Sequence, residues 1–370
     1  MKLILPILLI LSFHSYSQNH NYMLVGTYTQ GASKGIHIYD FNSNTGKASL
    51  IDSAVTSNPS YLAVSPSQKF VYAVNEDVKN GDGGKVSAYA FDKKTGHLTL
   101  INQASSGGDA PCYVTVDKTG KWVIAGNYVS GTLSVLSINK NGSVTLKDTI
   151  HHTGKGTNKD RQEGPHVHCT YLSPDNKYLF VPDLGIDKVM IYSFNEKTGH
   201  LKPASQPFVK LKDGSGPRHI VIHPNRKWAY LAQELASTAT AFSLHDGHLS
   251  IIQTIRTLPH NYKGPRTTAD VHVSPDGKFL YVSNRDKSNT IAIFKIDQST
   301  GKLTVAGYQS TMGSAPRNFN FDPSGNYLIV ANQNTDNIVI FKINHATGLL
   351  TPTSPQITIG NPVCIKWISK

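Results

Sequence analysis

The chain has 370 residues, 39% hydrophobic and 16% charged, a balance that supports a large core and excludes an intrinsically disordered protein. Its formal charge is +12, but no run of five basic residues occurs, which argues against a nucleic-acid arm and for a surface that attracts small anions. Cys112, Cys169 and Cys364 are too few and too scattered for a disulfide framework or a cysteine zinc site.

In chain order, Met1-Lys2, the apolar run Leu3 to Phe13 and the small residues Ser15 and Ser17 have the form of a secretory signal peptide. The run is too short to cross a bilayer as a helix, and no Cys follows the cleavage point to carry a lipid anchor. Residues 18–370 are then one domain, periplasmic or secreted, or cytoplasmic if the segment is retained. Three strands are expected next, at Tyr22 to Tyr28, Gly35 to Phe41 and Ala48 to Val55.

Two markers then recur. Asn58-Pro59, Ala110-Pro111, Gly164-Pro165, Gly216-Pro217, Gly264-Pro265, Ala315-Pro316 and Asn361-Pro362 each open an apolar stretch. A hairpin glycine follows at Gly46, Gly96, Gly142, Gly199, Gly247, Gly301 and Gly348, where a positive φ suits the turn. Both counts give seven. Between the markers lie short segments rich in β-branched and aromatic residues, with no helical periodicity. A period near fifty residues with four strands per unit indicates an all-β, seven-bladed propeller. Blades are numbered here from Pro59. Val363 to Ile368 remains as the innermost strand of blade 7, completed by the three N-terminal strands, so that both termini close the ring.

Antiparallel pairing brings the start of each innermost strand and the end of the second strand to one face. Counting back from the turn proline places Ser60, His168, Arg218 and Arg317 at equivalent positions, with Cys112 in blade 2. The ends of the second strands add Glu76, Asp183, Glu234 and Arg285. His166 precedes His168, and Arg266 stands further out on an extended rim of blade 5. His168, Glu234, Arg218 and Arg266 are the expected catalytic groups, and His166, Arg285, Arg317, Glu76 and Asp183 the expected substrate-binding groups. A plain ion pair between Glu234 and Arg218 is the alternative. The loop His151 to Glu163 opens on the same face, as a lid or a surface loop. The histidines lack metal-ligand spacing, and no P-loop, dinucleotide fingerprint or serine nucleophile elbow occurs, so neither metal nor cofactor is expected.

Gly26-Thr27-Tyr28-Thr29, Gly-Pro-His-Val-His at 164–168, Gly-Pro-Arg-His-Ile-Val-Ile-His-Pro at 216–224, Asp270-Val-His-Val-Ser-Pro-Asp-Gly and Ala-Asn-Gln at 331–333 together resemble the seven-bladed lactonase family. This is the propeller type of 6-phosphogluconolactonase, related to fungal carboxy-muconate lactonizing enzymes, and the resemblance covers Tyr22 to Lys370. It implies a hydrolase acting on a sugar-derived lactone such as 6-phosphogluconolactone, of the oxidative pentose phosphate route. The family's His, Glu and two Arg map onto His168, Glu234, Arg218 and Arg266. The apparent signal peptide departs from the cytoplasmic members and argues against a phosphosugar substrate. The expected mechanism has Glu234 as base, His168 as acid and Arg218 or Arg266 facing the oxyanion, in a monomer with an anionic lactone as its partner, no nucleic acid and no membrane anchor. A lactonizing cycloisomerase and a non-catalytic binding propeller are the competing readings.

Overall fold

Second strands such as Trp122–Asn127 and Trp228–Gln233 are buried along their whole length because both faces pack against other strands and blades. Outermost strands such as Lys47–Val55 alternate between half-buried and exposed residues, since one face meets water. A computed structural model describes residues 19–79, 83–353 and 356–370. The signal-peptide expectation, residues 1–17, lies outside the described residues. Seven antiparallel sheets form, each ordered from the axis outward in chain order except the last. There Pro362–Ser369 is innermost and pairs with His20–Thr27, running from Asn21 opposite Ser369 to Thr27 opposite Pro362. The expected closure by both termini is therefore present. The outer strand of blade 6 is supplied in two pieces, Leu350–Pro352 and Ile357–Thr358.

Adjacent blades are latched by the hairpin glycines. Gly247, at φ +78°, lies under Tyr178 of blade 3 so closely that a Cβ would stand 2.4 Å from the ring. Equivalent contacts recur around the ring, from Gly46 against Tyr327 to Gly348 against Phe279, where the Tyr281 hydroxyl also donates to the Gly348 carbonyl at 2.7 Å.

Near the axis Tyr61 stacks on Tyr113 at 4.0 Å, and His219 meets both rings edge-on at 5.9 and 5.3 Å. Two rings of this layer, Tyr61 and Tyr113, line a cavity of about 640 Å³ together with Tyr171, Lys118 and Lys366 toward the turn face. The residues before it in sequence, among them Ser60, Cys112 and Arg218, belong to the other face.

Candidate active site

Two rings of residues build the site face. The first is set by a local device: ladder pairing skips the residue after the proline, so Cys112, Arg218 and Arg317 fall between paired neighbours as β-bulges. A bulge re-aims its side chain, which takes these three out of the regular alternation. The residue before the proline adopts a positive φ, +62° at Gly216 and +57° at Ala315, and turns the chain into the bulge. The second ring is the residue just past each second strand: Tyr28, Glu76, Tyr128, Leu184, Glu234, Arg285 and Gln333.

Glu234 is the centre of one cluster. Its backbone N–H donates to the Gly216 carbonyl at 2.7 Å and its carbonyl accepts from Thr268 at 3.2 Å, fixing it between blades 4 and 5. Its carboxylate lies 2.9 Å from Arg218 Nε, 2.9 Å from Arg285 Nη2 and 2.8 Å from Arg161 Nη2. Burial opposes its ionisation, but Arg285, Arg218 and Arg161 outweigh it and hold the carboxyl near 2. Arg218 is itself buried, with Nη1 donating to the Ala269 carbonyl at 2.8 Å. Burial, followed by Arg317 and Arg285, lowers its pKa to about 10.

His168 is buried beside this cluster, its ring meeting His219 at 5.2 Å and Tyr128 at 5.5 Å, with Nδ1 3.7 Å from Cys112 Sγ. Burial, then Arg218, His219 and Arg317, push its pKa well below the usual histidine value. The imidazole is therefore neutral at neutral pH, which runs against the expected order of roles: the clamped carboxylate is a weak base, and the histidine has no proton to spare as an acid.

Three expected site residues are placed elsewhere. Arg266 is exposed on the rim and enters no ion pair among the described residues; Arg285 and Arg161 take the positions beside Glu234. Asp183 is fully buried because it is the last residue of its strand, equivalent to Gln233 and not to Glu234, and a one-residue offset reverses the face. Its carboxylate is occupied by His152 Nδ1 at 2.6 Å and by the N–H groups of His166 and Gly185 at 2.7 and 3.0 Å. His166 stacks on Tyr128 at 4.4 Å, with Nδ1 2.9 Å from the Tyr128 carbonyl and Nε2 3.1 Å from Glu163, so both nitrogens are engaged within the protein.

Asp183 thereby ties down both ends of the segment from His152 to His166. Within it Gln162 donates to the Leu184 carbonyl at 2.8 Å and accepts from Asn158 at 3.0 Å. The result is a strap, and its Arg161 reaches Tyr128 Oη at 3.2 Å as well as Glu234. Arg161, Tyr128 and Tyr28 were not singled out from the sequence as site residues. The second-strand register would have found both tyrosines; the strap has no periodic signal that marks Arg161.

Across the mouth, Tyr28 donates to Glu76 Oε2 at 2.9 Å, and Arg317 sits over the Tyr28 ring at 5.4 Å with Nη2 3.9 Å from Glu76 Oε1. Beneath the site, His219 Nδ1 and Asp270 Oδ1 are 2.7 Å apart, and His219 Nε2 lies 3.4 Å from Arg218 Nη1. No group of metal-ligating side chains is found among the described residues.

The profile of the family described as "Lactonase, 7-bladed beta-propeller" matches residues 22–367. A 6-phosphogluconolactonase of Formosa agariphila is 38% identical over 322 residues, covering 85% of this chain and 90% of that protein. One from Bacillus subtilis is 36% identical over 352 residues, covering 94% and 98%. Among solved structures, the periplasmic gluconolactonase PpgL of Pseudomonas aeruginosa is 33% identical with a TM-score of 0.89, covering 95% of this chain and 99% of that one. The chain is thus a member of the seven-bladed β-propeller lactonase family, whose named relatives are lactone-hydrolysing enzymes.

Proposed function

We propose that the chain hydrolyses a gluconic-type aldonolactone at the channel mouth, with His168 as the proton carrier and Glu234 as the organiser of the guanidinium groups. The names of the relatives share a gluconolactone skeleton and differ in the phosphate. The observation that carries the mechanism is the contrast between two buried groups: a carboxylate held near 2 by three arginines, and beside it a neutral imidazole.

His168 Nδ1 is turned to Cys112, which leaves Nε2 to take a proton from the attacking water. Water oxygen bonds to the lactone carbonyl carbon, and the negative charge that develops on the carbonyl oxygen faces Arg285, the less buried of the two arginines on Glu234 Oε2. Collapse breaks the bond to the ring oxygen, and the imidazolium returns its proton to that leaving alkoxide. Glu234 keeps Arg218, Arg285 and Arg161 together without accepting the proton.

The test is hydrolysis of glucono-δ-lactone and its 6-phosphate followed by pH-stat. His168→Asn is expected to lower kcat/KM by about a hundredfold or more while the protein remains folded by circular dichroism. A folded variant with wild-type activity on both lactones would remove His168 from the mechanism.

A further inference from the structure

Blade 2 places a neutral side chain where blades 4 and 6 place charge. Cys112 occupies the bulge position that holds Arg218 and Arg317 in those blades, and the bulge turns its thiol toward blade 3. There Sγ lies 3.7 Å from His168 Nδ1, 3.6 Å from the Val167 carbonyl oxygen and 3.8 Å from the His168 carbonyl oxygen. Cys112, Val167 and His168 are all buried, and burial also raises the Cys112 pKa, followed by Glu76 in the same direction, so the group is a thiol with a single proton to give. The Val167 carbonyl takes no part in the local ladder: its bridge to Asp183 is closed by the His168 N–H on the Pro182 carbonyl and the Leu184 N–H on the His166 carbonyl. The Cys112 thiol is the donor within its reach. If S–H turned to Nδ1 instead, this buried carbonyl would lose its partner, which buried carbonyls rarely do. With S–H on a carbonyl, the sulfur presents a lone pair to Nδ1, and Nδ1 carries the hydrogen.

We propose that Cys112 is a positioning residue: its sulfur accepts the His168 Nδ1–H while its own proton goes to the Val167 carbonyl, which fixes the imidazole as the tautomer whose Nε2 is free to act as base. The proposal rests on the reading of His168 as the proton carrier and adds the group that selects its nitrogen. The other neighbours of the ring do different work. Tyr128 and His219 meet it edge-on at 5.5 and 5.2 Å and set its plane. Burial, then Arg218, His219 and Arg317, keep it neutral. Neither effect distinguishes one nitrogen from the other. When Nε2 takes the proton from water, Nδ1 keeps its hydrogen on sulfur and the thiol keeps its own, so Cys112 forms no covalent bond to substrate and undergoes no change of charge.

The experiment reads the tautomer directly, by long-range proton–nitrogen correlation NMR of the protein labelled with ¹⁵N in its histidines, the His168 signals being those lost in His168→Asn. Wild type is expected to carry the His168 proton on Nδ1, and Cys112→Ala to show a mixture of both tautomers. A wild-type proton on Nε2 overturns the proposal, as does an unchanged Nδ1–H tautomer in Cys112→Ala. Kinetics on glucono-δ-lactone and its 6-phosphate provide the second readout. Cys112→Ala is expected to lower kcat about fivefold with KM unchanged, and Cys112→Ser, which keeps a donor and an acceptor at the position, to restore most of the loss. In the His168→Asn background Cys112→Ala should have no further effect, because it acts through the imidazole. An equal loss in both backgrounds would mean that Cys112 serves packing alone and would overturn the proposal. If wild type hydrolyses neither lactone, or His168→Asn is fully active, the lactonase mechanism fails instead, and the NMR comparison of wild type with Cys112→Ala still decides whether the sulfur sets the tautomer.

Discussion

Glu234 and His168 stand on adjacent blades, yet their surroundings drive them in opposite directions, one toward permanent charge and the other toward neutrality. Burial alone would neutralise both; Arg285, Arg218 and Arg161 reverse it for the carboxylate, while Arg218, His219 and Arg317 reinforce it for the imidazole. The strap adds a further residue-level link, because Asp183 holds His152 and the His166 N–H at its two ends and Arg161 reaches Glu234 from within it. Arg161→Met is expected to lower kcat/KM about tenfold, the scale of a lost charged hydrogen bond. Asp183→Asn should cause a loss in wild type that shrinks in the Arg161→Met background, because the two act through one contact. A double-mutant cycle in lactone hydrolysis measures this coupling, and additive losses would show that Asp183 acts only on general stability.

At the scale of elements, the repeat was legible because its signals are physical. Proline cannot donate within a strand, and hairpin glycines supply a positive φ. The glycines do more than turn the chain, since each closes against an aromatic of the preceding blade. Gly247→Ala should therefore destabilise by about 2 to 4 kcal/mol, combining the left-handed backbone cost with crowding against Tyr178. Chemical denaturation measures it, and an unchanged midpoint would contradict the latch. The site was legible where a ladder register could be counted, as for His168, Arg218 and Glu234. It differs at Asp183, where a one-residue offset in the strand makes the carboxylate an anchor for the strap and not a group of the site ring. Arg266 owes its expected catalytic role to the family resemblance, yet the extended start of blade 5 leaves it exposed on the rim, and Arg285, expected only to bind substrate, stands beside Glu234. Arg161 lies on a strap held by long-range hydrogen bonds, which leave no local pattern in sequence.

Over the whole molecule, closure by Pro362–Ser369 against His20–Thr27 makes every blade a neighbour of two others and leaves no open edge at the join. Near the axis Tyr61 and Tyr113, both met edge-on by His219, line the cavity on the turn face, while the candidate site lies on the other face. The central claim is that this ring brings together a neutral base, His168, and a carboxylate, Glu234, that organises charge without accepting a proton. The pH dependence of kcat/KM for Glu234→Gln beside wild type tests it most directly. The account predicts a plateau lowered at least tenfold while an acid limb below pH 6.5 persists, because protonation of His168 still ends the reaction. A Glu234→Gln variant whose residual rate no longer depends on pH would make Glu234 the base and contradict the account.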